Sequence, residues 1–272
     1  MKISKDTKVC ISISQNPGNT GTRIQNSLYR KHGLDFIYKS FKVDDVRGAI
    51  EGVRSLGIRG CSVSMPFKSS VIKYLDKVSH RAAQIGSVNT IVNDNGFLQG
   101  YNTDASGAER ALSDTGVKVD TAIIYGAGCT GRSVAYSLSR LGVKKVFISN
   151  RTKSKSEKLA KSLLESGIYS KSIDSVVGFN SSIFINCTSI GMSSDDIFPI
   201  QDAELSKFSL IFDVVPKDTN LIKRAEALNI PTITGMEMAI NQSLFQFELY
   251  TEEKVKFNEE RLFVREILCQ KI

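Results

Sequence analysis

The chain of 272 residues has no tryptophan, only two histidines, five prolines and five cysteines. His32 and His80 lie far apart and outside any glycine-rich or polar cluster. A two-histidine metal motif and a Ser-His-Asp triad are therefore unsupported, and no metal is expected. Cys10, Cys61, Cys129, Cys187 and Cys269 form no Cys-x-x-Cys pair, and their number is odd. This argues against a disulfide framework or a thiolate zinc site and makes a reducing cytoplasm the expected compartment. No apolar run approaches the ~18 residues of a membrane span. The first ten residues, MKISKDTKVC, hold no apolar signal segment. With histidine so scarce, acid–base work in an enzyme of this composition falls to Lys, Asp or Tyr.

What is present is a globular mix, 41% hydrophobic and 24% charged, which excludes disorder as the main state. Lys+Arg number 36 against 28 Asp+Glu, a net charge of +8. Residues 1–68 carry 12 Lys/Arg and five Asp/Glu, a net of +7. A solvated basic face or an anionic small-molecule substrate suits this excess. A nucleic-acid partner does not, because no basic helix or aromatic ladder accompanies the charge. The sequence leaves monomer and homodimer open.

Strand and helix signals alternate along the first hundred residues. Residues 9–14 (VCISIS) alternate strictly and read as a strand. Residues 15–21 (QNPGNTG) read as a loop, 22–31 as a helix ended by His32-Gly33, and 36–41 as a strand. Residues 44–56 read as a helix, 58–65 as a strand stopped by Pro66, and 70–75 and 80–85 as short helices. Residues 89–93 and 97–99 flank Asn95-Gly96, a hairpin signal. A helix is expected over 105–112. Short buried strands are expected at 121–125 and 146–149, with a helix over 133–141 between them. Further strands fall at 183–186 and 210–213, and long helices at 236–250 and 258–270.

Gly126, Gly128 and Gly131 fit Gly-x-Gly-x-x-Gly directly after a strand and before a helix. The first glycine permits the tight turn, the second lets backbone approach a pyrophosphate, and the third allows close helix–strand packing. This loop, with Ala127, Cys129 and Thr130, is the candidate nucleotide cradle. An NAD site usually places a carboxylate about 20 residues on. Here the stretch reads Asn150-Arg151-Thr152-Lys153-Ser154-Lys155, with no carboxylate before Glu157. Arg binds a 2′-phosphate in a fork geometry, so NADP (NADPH) is expected, with Arg151 the main contact.

Three polar segments stand beside strand ends: VSMPFK at 63–68, GSVNT at 86–90 and NTD at 102–104. With GAG at 126–128, NRT at 150–152 and NCTSIGM at 186–192, they resemble the shikimate dehydrogenase family over nearly the full chain. The resemblance is to its divergent shikimate dehydrogenase-like branch. It implies an α/β fold of two domains. One is a Rossmann-type doubly wound NADP domain at 104–236. The other is an α/β substrate domain with a mainly parallel sheet at 1–103, completed by helices in 237–272. The implied reaction is hydride transfer between shikimate and 3-dehydroshikimate, in the aromatic amino acid (chorismate) pathway. Alternatives are the same chemistry on another cyclic polyol or hydroxy acid such as quinate, or a non-catalytic ligand sensor on the same fold.

The resemblance makes Lys68 and Asp104 the catalytic pair. Removing hydride from a secondary alcohol requires a proton to leave its hydroxyl, and a lysine oriented by an aspartate can take or relay it. A plain N-cap role for Asp104 stays open. Asn89, Gln242 and Ser64 are implied substrate contacts. Thr188, Ser189 and Gly235 are implied cofactor contacts beside Asn150 and Thr152. Two Tyr-x-x-x-Lys pairs, at 38–42 and 250–254, read as accidental: one lies in a strand before the nucleotide loop and one ends a helix.

The sequence departs from the family twice. Where the family carries two carboxylate-binding serines, this chain has Asn19 and Gly21. Ser12 and Ser14 keep the spacing but sit seven residues early, so the role is not transferred to them. Asn19, Thr20 or Thr22 are candidate substitutes, and Arg23 is another if it faces the site. After the 210–213 strand, Pro216-Lys217-Asp218-Thr219 keeps the family's Pro-x-x-Thr, but the segment is two residues shorter and its Tyr is missing.

Overall fold

The computed structural model describes residues 3–179, 181–193 and 195–270. It divides into two compact units. One comprises 1–103 and 240–272; the other comprises 104–239.

The first unit contains β1 (Lys8–Ser14), α1 (Thr20–Lys31), β2 (Phe36–Lys42), α2 (Val46–Ser55) and β3 (Gly60–Val63). A 3-10 turn (Ser70–Tyr74), β4 (Lys77–Val78), α3 (His80–Ile85), β5 (Thr90–Asp94) and β6 (Phe97–Tyr101) follow. The sheet order is β2-β1-β3-β5-β6-β4. The β2-β1, β1-β3 and β6-β4 pairings are parallel, and β3-β5 and β5-β6 are antiparallel. The hairpin forms where Asn95-Gly96 predicts it. Both residues have positive φ, 52° and 91°, as a type I′ turn demands.

The two faces of this sheet differ because side chains alternate. Ile11, Ile13, Cys61, Val63, Ile91 and Leu98 point to one face and pack with Ile50 and Val53 of α2, Val71, Ala82 and Val88. The in-register partners Cys10–Tyr38–Gly60 and Ser12–Ser40–Ser62 belong to the other face. That face holds the ring of Tyr250, which lies where a side chain at Gly60 would be.

The second unit continues with α4 (Thr103–Ser113), β7 (Thr121–Tyr125), α5 (Cys129–Arg140), β8 (Lys145–Ser149), α6 (Lys153–Glu165) and β9 (Tyr169–Ser172). Next come β10 (Ile183–Asn186), α7 (Asp202–Leu205), β11 (Leu210–Asp213), α8 (Asn220–Ala227) and β12 (Thr232–Ile233). The order β12-β11-β10-β7-β8-β9 is parallel throughout. Counted from β7, this is the doubly wound 3-2-1-4-5-6 arrangement, with its switch point between β7 and β10. Ile123, Phe184, Ile211, Phe198 and Leu221 are among its core residues.

The chain ends in α9 (Gly235–Thr251) and α10 (Phe257–Cys269). The C-terminal part is tied into the first unit by Glu260, whose carboxylate is nearly buried. It meets Lys31 Nζ at 2.9 Å and His32 Nε2 at 3.2 Å. Removing one partner of a buried pair leaves the other uncompensated. Because Lys31 keeps about a third of its exposure, Glu260→Ala should cost about 1–3 kcal/mol, read as a lower urea midpoint at unchanged m-value.

Three short strands, β4, β9 and β12, carry no clear alternation in sequence. The segment expected as a helix at 70–75 is a 3-10 turn. The helix after the glycine loop starts at Cys129, four residues before the expected start. Gly131 is tolerated there despite its poor helix propensity because it packs against the Gly126 carbonyl. All five cysteines are free thiols. Burial pushes Cys10 up to about 12 and raises Cys61 and Cys187 further, so these three stay protonated.

Candidate functional site

In the first unit, the segments VSMPFK, GSVNT and Asn102-Thr103 are stitched together through backbone and amide groups. Val88 N donates to Lys68 O at 2.8 Å, and Val63 N to Asn89 O at 2.8 Å. Asn102 Nδ2 donates to Ser87 O at 2.9 Å. Asn89 is at the centre and only 2% exposed. Its Nδ2 donates to Gln242 Oε1 at 3.0 Å and to Thr103 Oγ1 at 3.0 Å. Its Oδ1 accepts from Thr103 N at 2.7 Å and from Thr90 Oγ1 at 2.9 Å. Asn89 and Gln242 are thus brought together across 153 residues of chain. Lys68 is half-buried and Ser64 exposed.

Asp104 directly follows Thr103. It is buried, at 6% exposure, and belongs to the second unit. Because α4 begins at Thr103, Asp104 stands inside its first turn rather than at its cap. A carboxylate there interacts favourably with the helix dipole.

In the second unit the glycine loop joins β7 to α5. Gly126 has φ 113°, which only glycine adopts readily, and its N–H donates to Ser149 O at 2.8 Å. Ala127 N donates to Asn150 Oδ1 at 3.0 Å, while Asn150 Nδ2 donates to Thr152 O at 2.8 Å. Asn150 therefore braces the loop against the end of β8. Gly128 is the N-cap of α5, with no side-chain cap, and a Cβ there would meet nothing within 4 Å. Space in front of the uncapped first turn, which includes Cys129 and Thr130, is what a pyrophosphate needs. The residues present fit a dinucleotide.

Arg151 is exposed. Lys153, two residues on, pairs with Asp174 at 2.8 Å. This pairing helps explain how a lysine is tolerated at the start of α6.

The protein's place among known ones follows from full-length similarity. The family model described as shikimate dehydrogenase substrate binding domain matches residues 18–91. The one described as shikimate / quinate 5-dehydrogenase matches 108–233. The chain belongs to the shikimate dehydrogenase family. It is 40% identical over 261 residues to a shikimate dehydrogenase-like protein of Haemophilus influenzae, covering 93% of each chain. A solved shikimate dehydrogenase in complex with NADP+ matches with TM-score 0.89 and 31% identity, over 99% of this chain and 98% of that one. A quinate dehydrogenase from Corynebacterium glutamicum in complex with NAD matches with TM-score 0.87 and 27% identity, over 96% and 99%.

Against the family pattern, NCTSIGM is organised by a buried carboxylate. Asn186 Oδ1 accepts from Thr188 N at 3.0 Å and from Thr188 Oγ1 at 2.7 Å. Asn186 Nδ2 donates to Asp213 Oδ1 at 2.9 Å. Thr219, the surviving Thr of Pro-x-x-Thr, donates to Asp213 Oδ2 at 2.7 Å and also caps α8. Burial raises the Asp213 carboxyl above its ordinary range, while these hydrogen bonds oppose the shift. Ser189 is exposed. Gly235 packs on the backbone of Val214 and Val215, where a Cβ would not fit.

Near the altered first loop, Asn19 is the exposed N-cap of α1 and makes no capping bond with its side chain. Thr22 Oγ1 lies 2.8 Å from Ser40 Oγ. Arg23 does not serve as a carboxylate ligand here: its guanidinium donates to Ile267 O and, at 2.8 Å, to Gln270 O, at the end of α10. A cation is favourable at that helix end. Sequence reasoning missed Thr103, Gln246 and Asp213. Each is a buried polar residue in an apolar context, which is the signal that was available.

Proposed function

We propose that this protein is an NADP-dependent oxidoreductase that interconverts shikimate and 3-dehydroshikimate, its first unit holding the substrate and its second the nucleotide. The Asn89–Gln242 hydrogen bond carries the reading. Two amides so placed, their orientation fixed by Thr90 and Thr103, suit a ligand with several hydroxyls, beside the segment that bears Lys68. NADP, when bound, supplies or takes the hydride. Lys68 holds or moves the proton at the substrate hydroxyl oxygen, and Asp104 is the second member of the catalytic pair that the family pattern assigns. Gly126–Gly131 would hold the pyrophosphate, with Asn150 and Thr152 bracing the loop and Thr188, Ser189 and Gly235 shaping the far side.

Mixing the purified protein with NADP and either shikimate or quinate, and following reduced nicotinamide, tests the reading. Turnover of quinate alone moves the substrate to that acid. Cofactor binding without turnover of either identifies a non-catalytic ligand-binding member.

Among structural relatives that carry NAD or NADP, the choice here rests on Arg151. Arg151→Ala should raise KM for NADP by about tenfold to a hundredfold, since a hydrogen bond to a charged group contributes about 1.5–3 kcal/mol. KM for NAD should stay within about twofold. Equal effects on both cofactors would remove Arg151 from the 2′-phosphate.

A further inference from the structure

The segment after β11 is where this chain departs from its family, and no proposed role uses its carboxylate. Asp213 closes β11 and is fully buried. Its Oδ1 accepts from Asn186 Nδ2 at 2.9 Å and from Val215 N at 3.1 Å, and its Oδ2 from Thr219 Oγ1 at 2.7 Å. Among the described residues no cation faces it. A buried carboxylate is costly even when hydrogen-bonded. Capping of α8 does not require it, because Thr219 itself accepts from Ile222 N.

Each of these bonds leads toward a residue that the family pattern assigns to the cofactor. Because Asn186 Nδ2 is turned to Asp213, Asn186 Oδ1 is turned to Thr188, where it accepts from N at 3.0 Å and from Oγ1 at 2.7 Å. The bond to Val215 N fixes the backbone of Val214 and Val215, and Gly235 packs on that backbone. Thr188 and Gly235 are thus both placed through one carboxylate. They stand beyond the carboxyl ends of β10 and β11, where ligands of doubly wound sheets bind. The two halves of a dinucleotide lie on either side of the switch point. Arg151 follows β8 on one side of it, so β10 and β11 lie under the nicotinamide half.

The shortening of this segment has a structural counterpart. Val214 N donates to Asn186 O at 3.0 Å, and the exposed Lys217 donates through Nζ to Met192 O at 2.8 Å. A side chain on Gly191 would meet the Thr219 methyl at 2.8 Å. The segment from Asp213 to Thr219 is therefore laid against residues 186–192 at both its ends.

We infer that Asp213 is a positioning residue for the nicotinamide half of NADP, with Lys217 as a second clasp at the surface. Together they hold the segments after β10 and β11 in the arrangement that presents Thr188 and Gly235. The role rests on the proposed contacts of those two residues with the cofactor.

Calorimetric binding of NADP, compared with adenosine 2′,5′-bisphosphate, which lacks the nicotinamide half, tests it without need of turnover. Asp213→Ala leaves three donors without their acceptor and should raise Kd for NADP on the order of tenfold, with the bisphosphate changed by less than about twofold. Asp213→Asn should return NADP binding to within about threefold of wild type, since its amide oxygen serves Asn186 and Val215 while its NH2 donates to the Thr219 hydroxyl. Lys217→Ala, at the surface, reads the same role should Asp213→Ala not fold: it should raise Kd for NADP about twofold to fivefold and spare the bisphosphate. Folded variants that weaken both ligands alike, or neither, overturn the positioning role, as does an asparagine variant as weak as the alanine one. Wild-type protein that binds the bisphosphate as tightly as NADP overturns that role and the contacts of Thr188 and Gly235, but keeps the glycine-loop site. Wild-type protein that binds neither overturns the glycine-loop site itself.

Discussion

Lys68→Ala lowers kcat for shikimate oxidation by about a hundredfold to ten-thousandfold, the usual contribution of a positioned proton-transfer group. KM for NADP and the thermal midpoint stay near wild type. Lys68 O accepts from Val88 N at 2.8 Å, and alanine keeps that backbone bond. Lys68→Arg separates two roles. Arginine keeps the positive charge but does not give up its proton in a protein. If charge alone matters at the reacting oxygen, the arginine variant recovers much of the rate; if proton movement matters, it stays near the alanine variant. Full turnover by Lys68→Ala would remove the residue from the chemistry.

Gly128→Ala abolishes most cofactor affinity and leaves the protein folded. The backbone at this position has φ −76° and ψ −169°, which alanine adopts without strain, and the added Cβ touches no atom of the protein. The space it enters is where a pyrophosphate would approach the first turn of α5. Crowding of this kind costs about 1–3 kcal/mol, or roughly tenfold to a hundredfold in Kd. Gly131→Ala behaves oppositely. Its Cβ would overlap the Gly126 carbonyl, so the loop must deform and the thermal midpoint falls with the affinity. Titrating NADP by fluorescence and unfolding both variants by heat distinguishes the two glycines. An unaltered Kd in Gly128→Ala would mean that the nucleotide does not use this loop.

The elements that carry long alternation or a helical stripe were legible in the sequence. The strand at Lys8–Ser14, the α3 helix at His80–Ile85 and the β7 strand at Thr121–Tyr125 stand where hydrophobic periodicity and turn residues place them. The hairpin at Asn95-Gly96 was legible because positive φ at two successive residues selects few side chains. β4 and β12 were not, since two residues hold no period and exist only through the strand beside them. The start of α5 was obscured because glycine inside a helix reads locally as a break, whereas its close packing on Gly126 is a tertiary fact.

The candidate site divides similarly. A short motif named Asn89 and the family resemblance named Gln242, but only the fold shows them at 3.0 Å. The serines of β1, β2 and β3 were visible as alternating polar positions. Their alignment depends on register, which pattern within a single strand does not encode. Arg23 shows the converse: a cation in a suggestive loop is committed to the carbonyls that end α10.

The first unit is assembled from both ends of the chain, and this sets an order of events during synthesis. Its closing contacts join residues very distant in sequence: Lys31 with Glu260, Gln25 with Ser243, Arg59 with Tyr250, and Ser62 with Gln246. None can form until α9, and for Lys31 also α10, has left the ribosome. The unit at 104–239 is continuous and can fold while the rest is still being made. The nascent protein therefore carries a β1–β3 sheet whose polar face lacks Gln246 and Tyr250, waiting on the final helices. Substitutions in α9 and α10 should accordingly weigh more heavily on the yield of folded protein than their exposed turns suggest, and a chain cut before Ile240 should hold its nucleotide unit while leaving that polar face without its cover.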